Sequence, residues 1–175
     1  MNKSRLIILS ALSLTLLSSA AAQSTDQLPP EQAPHVLSSA ELKKAVPTEY
    51  FFRGQKAPVQ LRNAVGFQSS VGKITLAALV DASGYSSAIQ QKYQGMLITE
   101  TKLTIGGSSL TPGQYGFGFT AEGKFIVMDV ANNDVLNTDY QNDQAVQHPV
   151  PLKLVEEGSS YKLYAGRKWV TLKPE

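Results

Sequence analysis

The sequence predicts a mainly β fold: a single antiparallel β-sandwich or barrel-like domain with one or two short helices. Three observations carry this. From Glu49 onward, short apolar or alternating runs are broken by glycine or proline every ten residues or so. Two tight-turn signatures, Ala121-Glu122-Gly123 and Gly166-Arg167, are each flanked by strand-forming residues whose register can be counted outward. There are no cysteines in the 175 residues, so a hydrophobic core and not a disulfide framework must hold the fold.

The chain opens with a basic stretch containing Lys3 and Arg5, an apolar run from Leu6 to Leu17, and small residues Ala20 and Ala22 before Gln23. This is the layout of a secretory leader over residues 1–22, with export to the periplasm or the exterior as the expected address. The run is too short for the roughly 20 apolar residues of a membrane helix, so no stable membrane insertion is expected after cleavage. Removing the leader leaves fourteen basic and fourteen acidic residues. A neutral chain without charge clusters is a poor binder of nucleic acid or anionic lipid.

Residues 23–35 hold Pro29, Pro30 and Pro34 among polar side chains and predict a flexible tether to a domain spanning 36–175. Ser38, three residues ahead of Glu41, forms a capping box for a short helix that Pro47 ends. Strands are then expected at 50–53, 59–63, 73–80, 96–105, 114–120, 124–130, 152–156, 161–165 and 168–172. One helical interruption is expected between them. Ser87 with Gln90 supplies a cap, Ile89 and Tyr93 share a face, and Gly95 closes it.

The three-residue loop at 121–123 pairs Phe119 with Phe125, Gly118 with Ile126, Phe117 with Val127 and Gly116 with Met128. Tyr115, Phe117 and Phe119 then share one face, and the opposite face is bare at Gly116 and Gly118. Two readings follow: Ile126 and Met128 lean into the vacated space, or the glycines let a ligand approach the backbone. Upstream, Pro112 presets a turn and Gly113 is expected to take a positive φ.

The string Thr104-Ile105-Gly106-Gly107-Ser108-Ser109-Leu110-Thr111-Pro112-Gly113-Gln114-Tyr115, followed by an aromatic and an apolar strand, resembles the hairpin of a group of secreted bacterial β-domains of unknown function. The resemblance covers about residues 103–130 and implies a fold but no activity. Gly113-Gln114-Tyr115-Gly116-Phe117-Gly118 lacks the lysine and the helix of a phosphate loop.

Reactive constellations are sparse. His35 and His148 stand apart without triad partners, and no Gly-x-Ser-x-Gly elbow occurs. No cofactor is expected. The stretch 132–143 reads as a polar loop, and Asp134, Asp139 and Asp143 are weak calcium candidates within it. Counting from Asn137, the twelfth place is His148, not the glutamate of a calcium loop.

The turn at Gly166-Arg167 pairs Ala165 with Lys168, Tyr164 with Trp169, Leu163 with Val170 and Tyr161 with Leu172. One face is then Leu152, Leu154, Tyr161, Leu163, Val170 and Leu172. The other shows Tyr164, Trp169, Lys153, Lys162 and Thr171, a surface suited to a glycan or an extended peptide. The competing reading is a cross-strand pair shielded by lysine stems. The expected function is therefore non-catalytic binding of an envelope or extracellular glycan, peptide or protein. Two alternatives stand beside it: a hydrolase of envelope polymers using carboxylates among Asp81, Glu122, Asp129 and Asp134, or an envelope assembly subunit.

Overall fold

In the computed structural model, which describes residues 33–175, the strands form two antiparallel sheets. The expected leader, 1–22, and residues 23–32 of the expected tether lie outside the described residues. The elements run β1 (His35–Val36), α1 (Ser39–Ala45), β2 (Glu49–Phe52), β3 (Gln55–Gln68), β4 (Ile74–Val80), α2 (Ser87–Gln90), β5 (Gly95–Thr99), β6 (Leu103–Ile105) and β7 (Ser108–Leu110). They continue as β8 (Gly113–Phe119), β9 (Lys124–Met128), β10 (Asp134–Asp139), β11 (Gln141–Asn142), β12 (Lys153–Glu157), β13 (Ser160–Ala165) and β14 (Lys168–Pro174).

The first sheet has the order β1-β3-β4-β5-β8-β9-β10, with β2 beside β3, and the second has β12-β13-β14-β6-β7, with β11 beside β14. The molecule is thus a sandwich-like fold and not a closed barrel. Its edges lie close, β12 beside β1 and β3, and β10 beside β7.

Between the sheets lies the main core, where Phe67, Leu97, Leu103, Ile105, Phe117, Phe125, Val127 and Leu163 are fully buried. Phe67 of the first sheet stacks on Tyr161 of the second, with centroids 3.8 Å apart. The outer face of the first sheet is covered as well. Phe52 from β2, together with Tyr85, Ile89 and Tyr93 around α2, packs over Ala78, Met96, Ile126 and Met128. Helix α1 sets Leu42 on Leu37 and Leu76 beside them. Double coverage explains why β9 is apolar on both faces.

Both hairpin registers agree with the sequence reading. Gly116 pairs with Met128 and Phe119 with Phe125, and Tyr164 pairs with Trp169. Gly123 and Gly166 take positive φ, as their turns require. Helix α1 has its full capping box, Ser38 and Glu41 bonding reciprocally, and ends at Val46 before Pro47.

Several expectations are corrected. The strand expected at 96–105 breaks at Glu100 to Lys102, where the Thr99 hydroxyl donates to the Thr101 carbonyl at 2.7 Å and turns the chain from one sheet into the other. The polar loop expected at 132–143 contains strands β10 and β11; only Leu136 of β10 is buried, because β10 is a sheet edge with a wet outer side. Ser108 to Leu110 also forms a strand, closing on Leu103 to Ile105 through a Gly106-Gly107 turn. Strand β3 continues past 59–63 to Gln68, and its register with β4 shifts between Val59 and Ala64. Helix α2 is capped at Ser86 without a side-chain bond, and Gly95 belongs to β5 instead of closing the helix.

Gly113 has no positive φ and simply begins β8. The corner before it is held by the Tyr115 hydroxyl, which donates to the Thr111 carbonyl at 2.9 Å. That bond supplies a physical role for the tyrosine of the Pro-Gly-x-Tyr string.

The entry to the domain is sensitive to pH from two sides. The Ser38 hydroxyl and amide, with His35 behind them, hold the Glu41 carboxyl down at about 2, against an ordinary 4.5. His35 is raised above its ordinary 6.5 by the Ala33 carbonyl and then by Glu41. The depressed Glu41 stabilises the cap above about pH 4.5 and loses this as pH falls toward 2, whereas the raised His35 contributes below about pH 6.5 and loses it as pH rises through its folded value. Protection of the Leu42 and Val46 amides against hydrogen exchange is expected to peak between those limits, and Glu41→Gln to flatten the acid side. Protection that does not vary from about pH 3 to about pH 8 would contradict this.

Candidate functional site

The outer face of the second sheet is the surface singled out by the residues themselves. Because side chains alternate along a strand, the burial of Leu163, Val170 and Leu172 turns Lys162, Tyr164, Trp169 and Thr171 outward. One row crosses four strands: Lys153 on β12 opposes Tyr164 on β13, Tyr164 opposes Trp169 on β14, and Trp169 opposes Gln141 on β11. The next row holds Val155, Lys162 and Thr171.

The two rings are half-buried, with centroids 6.2 Å apart and planes tilted by 33°. The Lys162 amine stands 4.4 Å from the centre of the Trp169 ring and is bonded to Glu157 at 2.8 Å. Lys153 places its amine 5.9 Å from the centre of the Tyr164 ring. These are cation–aromatic contacts, and the lysine stems cover part of each ring. The Tyr164 hydroxyl donates to Asp143 at 3.2 Å, and Asp143 also accepts the Ala145 amide at 3.0 Å.

The electrostatics follow from these neighbours. Partial burial, then Asp143, pushes the Tyr164 phenol above its ordinary value. The bond to Glu157 raises Lys162, which stays an ammonium at neutral pH. The arrangement can stack a ring or a flat apolar face and donate hydrogen bonds around it.

All four residues expected at this site, Tyr164, Trp169, Lys153 and Lys162, are brought together. Sequence reading missed Gln141 and the role of Asp143, because the segment carrying them was expected to be a loop and not a strand beside β14. The weak calcium candidates are dispersed. Asp134 and Asp139 stand at opposite ends of β10, paired with Lys92 at 2.7 Å and Lys124 at 2.6 Å, while Asp143 serves Tyr164. Among the described residues no three His, Asp or Glu side chains are grouped to hold a metal ion.

The carboxylates of the hydrolase alternative are likewise engaged. Asp81 caps Ser83, and Asp129 accepts the Ala131 and Asn133 amides. Asp81, Glu122 and Asp129 are held below the usual carboxylate range, by Ser83, Thr120 and Asn133 respectively. A general acid needs the opposite shift. His35 bonds Glu41 and the Ala33 carbonyl at the domain entry, far along the chain from any of these acids. Among the described residues, no helix is long and apolar enough to cross a membrane.

No family model, no curated protein and no solved structure matches the chain.

Proposed function

We propose that the protein is an exported, non-catalytic binding domain that takes an envelope or extracellular glycan or extended peptide on the outer face of its second sheet. One observation carries the reading. Tyr164 and Trp169 lie side by side, half-exposed, on a rigid hairpin whose other face is packed into the core. Aromatic pairs held on a sheet offer area with little entropy to lose. Lys153, Lys162 and Gln141 flank them with hydrogen-bond donors.

A ligand that stacks on Trp169 must displace the Lys162 ammonium, which then becomes a donor to the ligand while keeping Glu157 within reach. Export is read from the leader, and the resemblance to secreted β-domains is consistent with that address.

Trp169 is the only tryptophan, so its emission reports on this surface alone. Titration with peptidoglycan fragments, neutral glycans and extended peptides is expected to give a saturable emission shift with one class. Tyr164→Ala is expected to weaken that binding by about tenfold, which corresponds to about 1.4 kcal/mol. Emission that no ligand alters, or binding indifferent to Tyr164→Ala, would remove the site.

A further inference from the structure

A second concave surface lies at the end of the sandwich where α2 meets the turn Gly166-Arg167. Two hollows of about 420 Å³ and about 370 Å³ adjoin there as the two arms of one surface, with Gln90 and Gln94 in the lining of both. Each lies within the roughly 300 to 1,000 Å³ usual for small-molecule sites. The first arm is walled by Leu79, Val80, Ala82, Tyr93, Pro151 and Ala165 and is mostly apolar. The second passes Phe119 and Ala121 and ends at Glu122 and Lys168.

The walls are fixed. The Gln94 amide both donates to the Phe119 carbonyl at 3.1 Å and accepts the Phe119 amide at 3.0 Å, and Gln90 donates to the Tyr85 carbonyl at 2.7 Å. Lys168 is the incomplete element. The residue is half-buried, and its amine leans on the carbonyls of Phe119 at 3.5 Å and Thr120 at 3.4 Å and stands 4.9 Å from the centre of the Tyr140 ring. Both carbonyls already accept better placed donors, Gln94 at 3.1 Å and the Tyr140 hydroxyl at 3.2 Å. Among the described residues, no carboxylate lies within ion-pair distance of Lys168, whereas Lys56, Lys92, Lys102, Lys124 and Lys162 each have one. Glu122, in the same arm, is bonded to the Thr120 hydroxyl and is drawn to the Lys168 charge only from beyond ion-pair distance.

An ammonium on a half-buried residue, with long and shared acceptors, has capacity left for an anion. We infer that the groove binds a single-chain anionic amphiphile, its alkyl chain in the apolar arm and its carboxylate on Lys168. The charge selects the head group, and the walls of the first arm select a chain over a polar ligand. This site is separate from the aromatic platform, which lies on the outer face of the same hairpin.

The test is calorimetric titration of the purified protein with decanoate below its micellar concentration, with decanol as the neutral control. Saturable one-to-one binding of decanoate is expected, at least tenfold tighter than decanol. Lys168→Gln is expected to remove that preference, and Ala82→Trp, which fills the apolar arm, to abolish binding of both. Circular dichroism establishes that each variant is folded. Absence of saturable binding, equal affinity for decanoate and decanol, or binding untouched by both folded variants would overturn the inference. Binding lost in Tyr164→Ala but kept in Lys168→Gln would also overturn it, by placing the amphiphile on the aromatic platform instead.

Discussion

Replacing Gly118 by alanine is expected to destabilise the protein by about 3 kcal/mol, with a fall in melting temperature of about 10 °C. The φ of Gly118 is not in the left-handed region, so the backbone itself would accept alanine. The obstacle is steric. A Cβ at this position would press on the Lys92 peptide group, its carbonyl carbon at 2.8 Å and the carbonyl oxygen nearer still. Backbone cannot swing aside as a side chain can. To make room, the segment from Lys92 to Gln94 must lift from β8. That would break the Gln94 amide bond to the Phe117 carbonyl at 2.8 Å and the two bonds between the Gln94 side chain and Phe119. A thermal melt within about 2 °C of the parent would show that the segment does not rest on this glycine.

This crowding also corrects the explanation of the bare strand face. Ile126 and Met128 lie on the same side as Gly118 and Gly116, but the atoms nearest to where a Cβ would stand are not theirs. The occupants come from elsewhere in the chain: the Lys92 backbone at Gly118, and the Phe52 and Tyr93 rings at Gly116. What approaches the glycine backbone is the protein itself, not a ligand. The neighbours of a strand across its hairpin can be counted in the sequence, whereas the layer packed on top of it cannot.

The same division runs through the rest of the fold. Turn chemistry is local, so the Gly123 and Gly166 hairpins, and the Ser38 to Glu41 cap, were legible residue by residue. Strand β10 was not, because Asp134, Asn137 and Asp139 are poor strand formers and it is held as an edge by pairing with β9. The corner at Thr99 to Thr101 was hidden for a related reason. It rests on a hydroxyl bonding to a backbone carbonyl, in a run where Glu100 and Lys102 alternate with threonines and so keep the period of a strand. At the candidate site, the Tyr164 and Trp169 pair could be read from one two-residue turn. Its flank on β11 depends on a strand arriving from over twenty residues away.

The placement of that site follows from how the layers are used. The first sheet is covered on both faces, by the second sheet and by the layer of β2, α1 and α2. The second sheet has one face in the core and the other toward solvent, with half-buried rings and lysines on it. An aromatic pair on the first sheet would have been absorbed into packing, as Phe52 and Tyr93 are, stacked at 3.9 Å with an interplanar angle of 13°.

That stacked pair supplies the second large effect, one that differs in kind from the first. Tyr93→Ala removes a fully buried ring and is expected to cost about 3 to 5 kcal/mol. Gly116→Ala, which would bring a Cβ to 2.7 Å from Phe52 and 2.9 Å from Tyr93, is expected to cost about 2 kcal/mol. The two changes address the same space with opposite sign, one emptying it and the other overfilling it. Combined, they are expected to cost at least about 1 kcal/mol less than their sum, because Phe52 can move into the volume that Tyr93 vacates. Urea unfolding of the parent, both single variants and the double variant measures this coupling directly. Additivity within about 0.3 kcal/mol at Gly116 and Tyr93 would mean that the rings do not fill the space above the glycine.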